Sequence, residues 1–404
     1  MSLFRERLEA FPRIEPYRYA RAEQLWPYYK RVESAATPVF TIEGRSVINF
    51  GSNNYLSLSY DPRVIAAANA ATDRYGTGVT GSRLLNGTLP LHLDLEAELA
   101  DFFGVEAALV FSTGYVANLC AIAGFLGRSD YAVVDKEAHN SLVTAIRLSG
   151  ARMKRFRHND AAHLAAILAD LPAEAAKGVI VDGVYSMRGD TAPLPEIVDL
   201  VARTPNAFTF DDEAHGLGVL GAQGRGAAEH FGLLDDIDIT TLTFSKTLGS
   251  CGGAVLGCAE AIELLTITSE PFIFTASNVP ASMAAALEAL RILRAEPERP
   301  AQLRANVEHL LGALTERGVS ANPAESAIVT IPLKHHDDLS TVFTFRDLFE
   351  LGVFCNPVIP PASAGNSGLL RLSVMADHDE DLLDDAADIL RKVLTDGDQL
   401  VDRD

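Results

Sequence analysis

The sequence predicts an α/β fold: a large domain around a mostly parallel sheet, followed by a smaller C-terminal α/β domain. Three observations carry that prediction. Short apolar runs alternate with helical windows from about residue 105 to about residue 245. The residues directly after those runs are rich in hydroxyls, Asp, His and Gly. After about residue 280 a long helical window leads into a region of different pattern. β and α segments alternating at this length require a sheet covered by helices on both faces.

Residues 1–58 read as an N-terminal arm and a short hairpin. "PYRYARAEQLWPYYKR" suggests a helical arm, and "PVFTIEGRSVINFGSNNYL" a hairpin turning at Glu43-Gly44. Residues 59–280 form the large domain. Its first helices are "RVIAAANAATDRY" and "PLHLDLEAELADFFG", the second stopped by Gly104. Strand-helix pairs follow: "AALVFS" with "YVANLCAIAGFLG", "YAVVD" with "NSLVTAIRLSG", and "GVIVDGVYS" with "LPEIVDLVAR". "AFTFDD" and "TTLTFS" complete the set. The smaller domain, 281–404, takes the long helix "VPASMAAALEALRILRAE" and strands at "SAIVTIPL", "GVFCNPVI" and "LLRLSVM", with an antiparallel component.

The net charge of -20 argues against a nucleic-acid partner, which requires a basic face. Four scattered cysteines (Cys120, Cys251, Cys258, Cys355) show no zinc spacing, so no metal is expected and a reducing compartment fits. The N-terminal "MSLFRERLEAFPRIEP" carries charges where a signal peptide has its apolar core, and no stretch is long and apolar enough to span a bilayer. A cytoplasmic protein without a transmembrane segment is the expectation.

Two G-x-G-x-x-G matches invite a dinucleotide reading, "GTGVTG" (76–81) and "GLGVLG" (216–221). The first follows a helical window, and the second runs into "AQGRGAAEHFG", too glycine-rich for the helix the motif needs. Ser186 and Ser245 lie outside any G-x-S-x-G elbow.

Ligands of open α/β sheets sit outside the carboxyl ends of the strands. Here those positions are "STGY" (112–115), "DKEAHNS" (135–141), "SMRGD" (186–190), "DDEAHG" (211–216) and "SKTLG" (245–249). A lone lysine among hydroxyls and glycines, Lys246, suits imine formation with an aldehyde cofactor, of which pyridoxal phosphate is the common one. Such a site needs an acid for the pyridine nitrogen, a donor for the phenolic oxygen, a flat group to stack and neutral donors for the phosphate. Asp212 ends a buried-looking strand, His215 follows three residues on, and His139 could stack. Gly114 and Tyr115 open a helix whose amino end can take a phosphate. Thr243 and Ser245 bracket the lysine with hydroxyls.

"FDDEAHG", "TFSKTLG", "STGYVAN", "FRHND", "GVYSMRGD" and "GTGVTGSRLLNGT", in that family's order, resemble the α-oxoamine synthases, which are fold-type-I pyridoxal phosphate enzymes of aspartate aminotransferase-like fold. The resemblance runs from about Pro27 to the end. Within the family, "GSRLLNGT", "LPAEAAKGVIVDGVYSMRGD" and "FIFTASNVP" are most similar to the bacterial branch that uses serine and a long acyl chain, whereas "HGLGVLG" departs toward another branch.

The resemblance implies that Lys246 carries the cofactor and then acts as the base on the α-proton. It implies Asp212 on the pyridinium nitrogen, His215 and Ser186 near the phenolic oxygen, and His139 stacked on the ring and holding the substrate carboxylate. Gly114, Tyr115, Thr243 and Ser245 would hold the phosphate, with Thr275 and Ser277 reaching in from a second subunit of a homodimer. Arg371 would orient the amino-acid carboxylate, and Asn53 and Tyr55 would line the entrance. The implied reaction is a decarboxylative condensation of serine, alanine or glycine with an acyl thioester, on coenzyme A or an acyl carrier protein. For a coenzyme A phosphate, the basic arm (Arg13, Arg18, Arg21, Lys30, Arg31) offers cations, which also suit a solvated helix face.

Overall fold

The computed structural model describes residues 2–12, 14–23, 25–333, 338–359 and 368–395. Helices Leu3–Glu9 and Ile14–Ala22 form the arm. Strands β1 (Val39–Ile42) and β2 (Arg45–Asn49) pair antiparallel across Glu43 and Gly44, at φ of 48° and 77°. A two-residue hairpin turn requires that handedness at both positions.

The central sheet comprises β3 (Ala107–Phe111), β4 (Tyr131–Asp135), β5 (Arg152–Phe156), β6 (Lys177–Asp182), β7 (Ala207–Asp212), β8 (Ile239–Thr243) and β9 (Gly253–Gly257). Their order is β3-β9-β8-β7-β6-β4-β5. The sheet is parallel from β8 to β5, and β9 runs antiparallel between β3 and β8. Apolar side chains leave both faces: Val133, Val179 and Val181 join one buried cluster, and Ala132, Val134, Ile180 and Phe210 the other. Burial on both faces is why these strands read as continuous apolar runs.

Two strands escape the sequence reading. "RMKRF" of β5 is a charged edge strand, exposed at Arg152, Lys154 and Arg155, so it lacks an apolar run. Cations on an edge also discourage pairing with another chain. "GAVLG" of β9 is mostly glycine and small residues, because it passes against the start of the helix Gly114–Phe125: a Cβ on Gly253 would lie 2.5 Å from the Gly114 Cα.

Toward the C-terminus, β10 (Ile328–Pro332), β11 (Val353–Phe354), β12 (Asn356–Val358) and β13 (Leu369–Ser373) follow. "GVFCNPVI" is therefore two strands, not one. The chain breaks at Cys355; β11 pairs parallel with β2, while β12 and β10 flank β13 antiparallel. The N-terminal hairpin thus shares a sheet with the C-terminal region. Helix Pro280–Ala295 packs on Pro62–Tyr75 and Pro90–Phe103. Among the described residues no helix is long and apolar enough to cross a membrane.

Candidate active site

The carboxyl ends of β3, β4, β6, β7 and β8 open on one side of the sheet, and each carries one of the loops singled out above. Period-2 alternation along β7 puts Phe210 and Asp212 on the face covered by helix Gly114–Phe125. There Asn118 Nδ2 donates to Asp212 Oδ2 at 2.7 Å, and the Ala214 N–H donates to Oδ1 at 3.0 Å. Asp212 is buried with neutral donors and no ion pair among the described residues. A lone buried carboxylate is costly, so the arrangement fits a cationic group that is to be bound.

The same alternation sends Asp211 and Glu213 to the opposite face, where a Cβ on Gly183 would lie 2.9 Å from Asp211 Oδ1 and 2.7 Å from Glu213 Oε2. Burial lifts Glu213 to about 7, and burial together with Glu213 lifts Asp211 well above the carboxylate range. A carboxyl held above its unfolded value stabilises the fold fully at low pH. That stability is lost as pH rises through the folded value. The melting temperature of the wild type is expected to fall from about pH 5 to about pH 8 more steeply than that of Glu213→Gln, whose amide cannot ionise. Equal slopes in the two proteins would remove Glu213 as the cause.

His215, buried, accepts or donates at Nδ1 with the Tyr55 hydroxyl at 2.7 Å. Burial pushes its imidazole well below the usual value, and Lys246, Arg371 and His139 push the same way. It therefore enters the site neutral. Tyr55 OH also donates to Asn53 Oδ1 at 3.2 Å. Asn53 Oδ1 accepts in addition from Arg371 Nη2 at 3.1 Å and Ser373 Oγ at 3.0 Å.

Arg371 lies on β13 and is only 4% exposed. Its Nε donates to the Ser186 carbonyl at 2.6 Å and its Nη1 to Ser373 Oγ at 2.9 Å. Among the described residues no carboxylate pairs with it, although a buried guanidinium normally has one. Of Ser186, only the carbonyl takes part in these bonds.

His139 caps the helix Asn140–Ser149: its backbone N–H donates to Asp182 Oδ2 at 2.9 Å and its Nδ1 meets Ser141 Oγ at 2.8 Å. Burial lowers its affinity for protons; the Asp212 charge opposes this and Lys246 adds to it. Both charges therefore act on the ring from nearby. Burial and Asp212 hold Asp182 well above the carboxylate range.

Lys246 follows β8 at Phe244–Ser245, half-buried, and its ammonium has no hydrogen-bond partner among the described residues. Burial lowers it to about 8; Asp212 raises it, Arg371 lowers it, and Asp182 raises it. An amine so placed is substantially neutral near pH 8. Amine-selective labelling of Lys246 in the cofactor-free protein, read by mass spectrometry, is expected to quicken about tenfold per pH unit up to about 8 and then level off. A rise continuing toward 10.5, the usual lysine value, would show a solvated ammonium instead.

Helix Gly114–Phe125 starts two residues after β3, with Thr113 as its N-cap accepting from the Val116 N–H at 3.1 Å. The first N–H groups of such a helix are unsatisfied and favour an anion. Gly114 is required there, because a Cβ would sit 2.7 Å from the Thr243 Cβ. Thr243 Oγ1 and Ser245 Oγ lie 2.9 Å apart, on the same side. Tyr115 is exposed. Thr275 and Ser277 do not join this cluster within the chain: Ser277 Oγ donates to the Gly87 carbonyl at 2.7 Å and meets His92 Nε2 at 3.1 Å.

Asn118, Asp182 and Ser373 escaped the sequence reading. For Asn118 the signal was present, as the one amide in the apolar helix "YVANLCAIAGFLG"; Asp182 and Ser373 become visible only once the strands are paired. In the arm, Arg18 pairs with Glu9 and Glu15, Lys30 with Glu43 and Arg31 with Glu33, while Arg21 lies over the Tyr17 ring; Arg13 lies outside the described residues. Arg18 and Arg31 suit a solvated face, whereas Lys30 is largely buried over the Phe349 ring.

The residues match the donor set that pyridoxal phosphate needs: a lone buried acid, a depressed amine, neutral imidazoles, and a helix start with two hydroxyls. Comparison with known proteins agrees. The family model for aminotransferase class I and II matches residues 45–390. The chain is 40% identical over 388 residues to a serine palmitoyltransferase of Sphingobacterium spiritivorum, covering 96% of each. It is 38% identical over 365 residues to an 8-amino-7-oxononanoate synthase of Symbiobacterium thermophilum, covering 90% of this chain and 92% of that one. A serine palmitoyltransferase from S. paucimobilis, solved with a bound PLP–myriocin aldimine, superposes with a TM-score of 0.92 at 34% identity, covering 97% of this chain and 98% of that one.

Proposed function

The chain belongs to the aminotransferase class I and II family, and from that premise we propose that it is a pyridoxal phosphate-dependent acyltransferase of the α-oxoamine synthase type. Its fold is the fold-type-I, aspartate aminotransferase-like one. The reaction is a decarboxylative condensation of a small amino acid, serine before alanine or glycine, with an acyl thioester, releasing the thiol carrier and carbon dioxide. The observation that carries this reading is Arg371, a buried guanidinium without a carboxylate partner among the described residues, whose charge is felt at both Lys246 and His215. An α-carboxylate supplies the missing anion in a planar, forked geometry.

Bound pyridoxal phosphate supplies an electron sink for charge developing at the amino acid's α-carbon. Asp212 would hold a proton on the ring nitrogen, and burial makes its charge effective there. His215, held through Nδ1 by Tyr55, would meet the phenolic oxygen with its other ring nitrogen, with Ser186 close by. His139 would cover the ring face and, with Arg371, hold the amino-acid carboxylate. Gly114, Tyr115, Thr243 and Ser245 would hold the phosphate.

Lys246 would bond the cofactor and, once displaced, remove the α-proton at its Nζ. An amine with its proton affinity lowered to about 8 can do this near neutral pH. Asn53 and Tyr55 steady Arg371; Asn53 is partly exposed toward the way in, whereas Tyr55 is fully buried and does not line it. We assign a homodimer, with Thr275 and Ser277 completing the partner's phosphate site, and a cytoplasmic location, in keeping with the free thiols. The divisions 1–58, 59–280 and 281–404 remain our partition, with helix Pro280–Ala295 as the connection.

The test is release of free thiol and carbon dioxide from the pyridoxal phosphate-loaded protein. L-serine, L-alanine and glycine are each paired with acyl-CoA donors from acetyl to palmitoyl, and with a palmitoyl carrier protein. L-serine with palmitoyl-CoA is expected to be fastest. "HGLGVLG" and the 38% identity to an 8-amino-7-oxononanoate synthase favour one second reading, alanine with a dicarboxylic acyl chain. Thiol release only with that pair would establish it. Release only with glycine and acetyl-CoA would mark a glycine C-acetyltransferase-like enzyme, and release with no pair would defeat the class.

A further inference from the structure

We propose that His158 is a positioning residue for the amino-acid site, tying the loop that presents His139 to the loop that holds Arg371. The role rests on the reading above, in which those two residues receive the amino acid. His158 Nδ1 bonds Asp135 Oδ1 at 3.0 Å and its Nε2 bonds Asp190 Oδ2 at 2.9 Å. An imidazole flanked by a carboxylate at each nitrogen must donate from both, so it is charged. Its side chain is 13% exposed, and its ring stands edge-on to Tyr185 at 4.5 Å.

Each carboxylate belongs to one half of the site. Asp135 ends β4, four residues before His139. Its oxygens also accept from the Glu137 N–H at 2.7 Å and the Asn159 N–H at 3.0 Å, which shapes the turn into the His139 cap. Asp190 closes the loop after β6: the Tyr185 N–H donates to its carbonyl at 2.9 Å and the Gly189 N–H to the Tyr185 carbonyl at 2.8 Å. Between them stands Ser186, whose carbonyl takes the Arg371 Nε. Asn159, at φ 53°, adds a bond from Nδ2 to the Thr191 carbonyl at 2.9 Å.

A second tie, the bidentate pair of Arg188 with Glu137 at 2.6 and 2.9 Å, spans the same loops; with Arg188 47% exposed it is more screened by solvent than His158, which is 13% exposed. The charged groups acting on the ring are Asp135 and Asp190, with Tyr185 edge-on against it and the Arg188 guanidinium interacting with both carboxylates. Burial opposes the charge on His158, but its bonds to Asp135 and Asp190 prevail and lift it to about 9. Among the described residues His158 bonds Asp135 and Asp190 and no residue assigned to the cofactor, so its action is through geometry.

The test compares His158→Gln and Asp190→Asn with wild type, all loaded with pyridoxal phosphate. The KM for the amino acid is expected to rise roughly tenfold or more in His158→Gln and less in Asp190→Asn, with kcat changed under about threefold and the cofactor absorbance intact. Histidine-¹⁵N NMR of the cofactor-free proteins gives a readout independent of turnover. At pH 7.5 His158 is expected to be doubly protonated in wild type and to lose that signature in Asp190→Asn. An unchanged amino-acid KM in both variants, or a loss confined to melting temperature or cofactor affinity, overturns the proposal. So does a neutral His158 in wild type. Failure of wild type to bind any amino acid would instead overturn the functional reading beneath it, whatever the NMR shows of the clamp.

Discussion

Replacing Lys246 by alanine is expected to leave a folded protein that has lost its near-visible absorbance band and nearly all turnover. The fall should be on the order of 10⁴-fold, the upper range for removing a group that moves a proton in the transition state. The fold should survive, because the ammonium holds no hydrogen bond among the described residues and the backbone around it is secured independently: the Gly249 N–H donates to the Lys246 carbonyl and Thr247 Oγ1 to the Leu217 carbonyl. Absorbance spectra with added pyridoxal phosphate, steady-state rates and a thermal melt check the three parts together. Retention of both colour and rate would assign the chemistry to another residue.

Asp212→Asn carries the second-largest expected effect. The substitution keeps size and shape but removes a buried negative charge. Turnover is expected to drop by roughly 10²–10³-fold, the scale of losing one preorganised electrostatic partner. A modest loss of stability should accompany it, since the new amide meets the Asn118 and Ala214 donors with only one oxygen. A cross-check comes from Lys246: Asp212 raises its affinity for protons, so the labelling midpoint should move below about 8 in the variant. A midpoint that stays put would mean the two groups do not share the site.

Much of this was legible in the residues alone. "FDDEAHG" and "TFSKTLG" stand directly after apolar runs, and the ends of parallel strands are where such sheets bind ligands. The Glu43-Gly44 turn and the Gly104 stop were equally local signals, and both appear where expected, with Gly104 at φ 75°. What stayed hidden had no local signature. Charged β5 and small-residue β9 owe their conformation to neighbours, and "GVFCNPVI" divides at Cys355 because two different sheets claim its halves.

His158 shows the same limit. In "FRHND" it reads as one polar residue among several, and only the adjacency of β4, β5 and the loop after β6 sets an aspartate at each ring nitrogen. By itself, then, the sequence determined the alternation of strands and helices and which side chains stand at the strand ends, because residue periodicity and turn chemistry act over a few residues. Tertiary structure decided that Asn53 meets Arg371 across 318 positions and that Asn118 meets Asp212 across 94. Those bonds depend on strand order and register, which are set by the packing of the whole chain and which no local window contains.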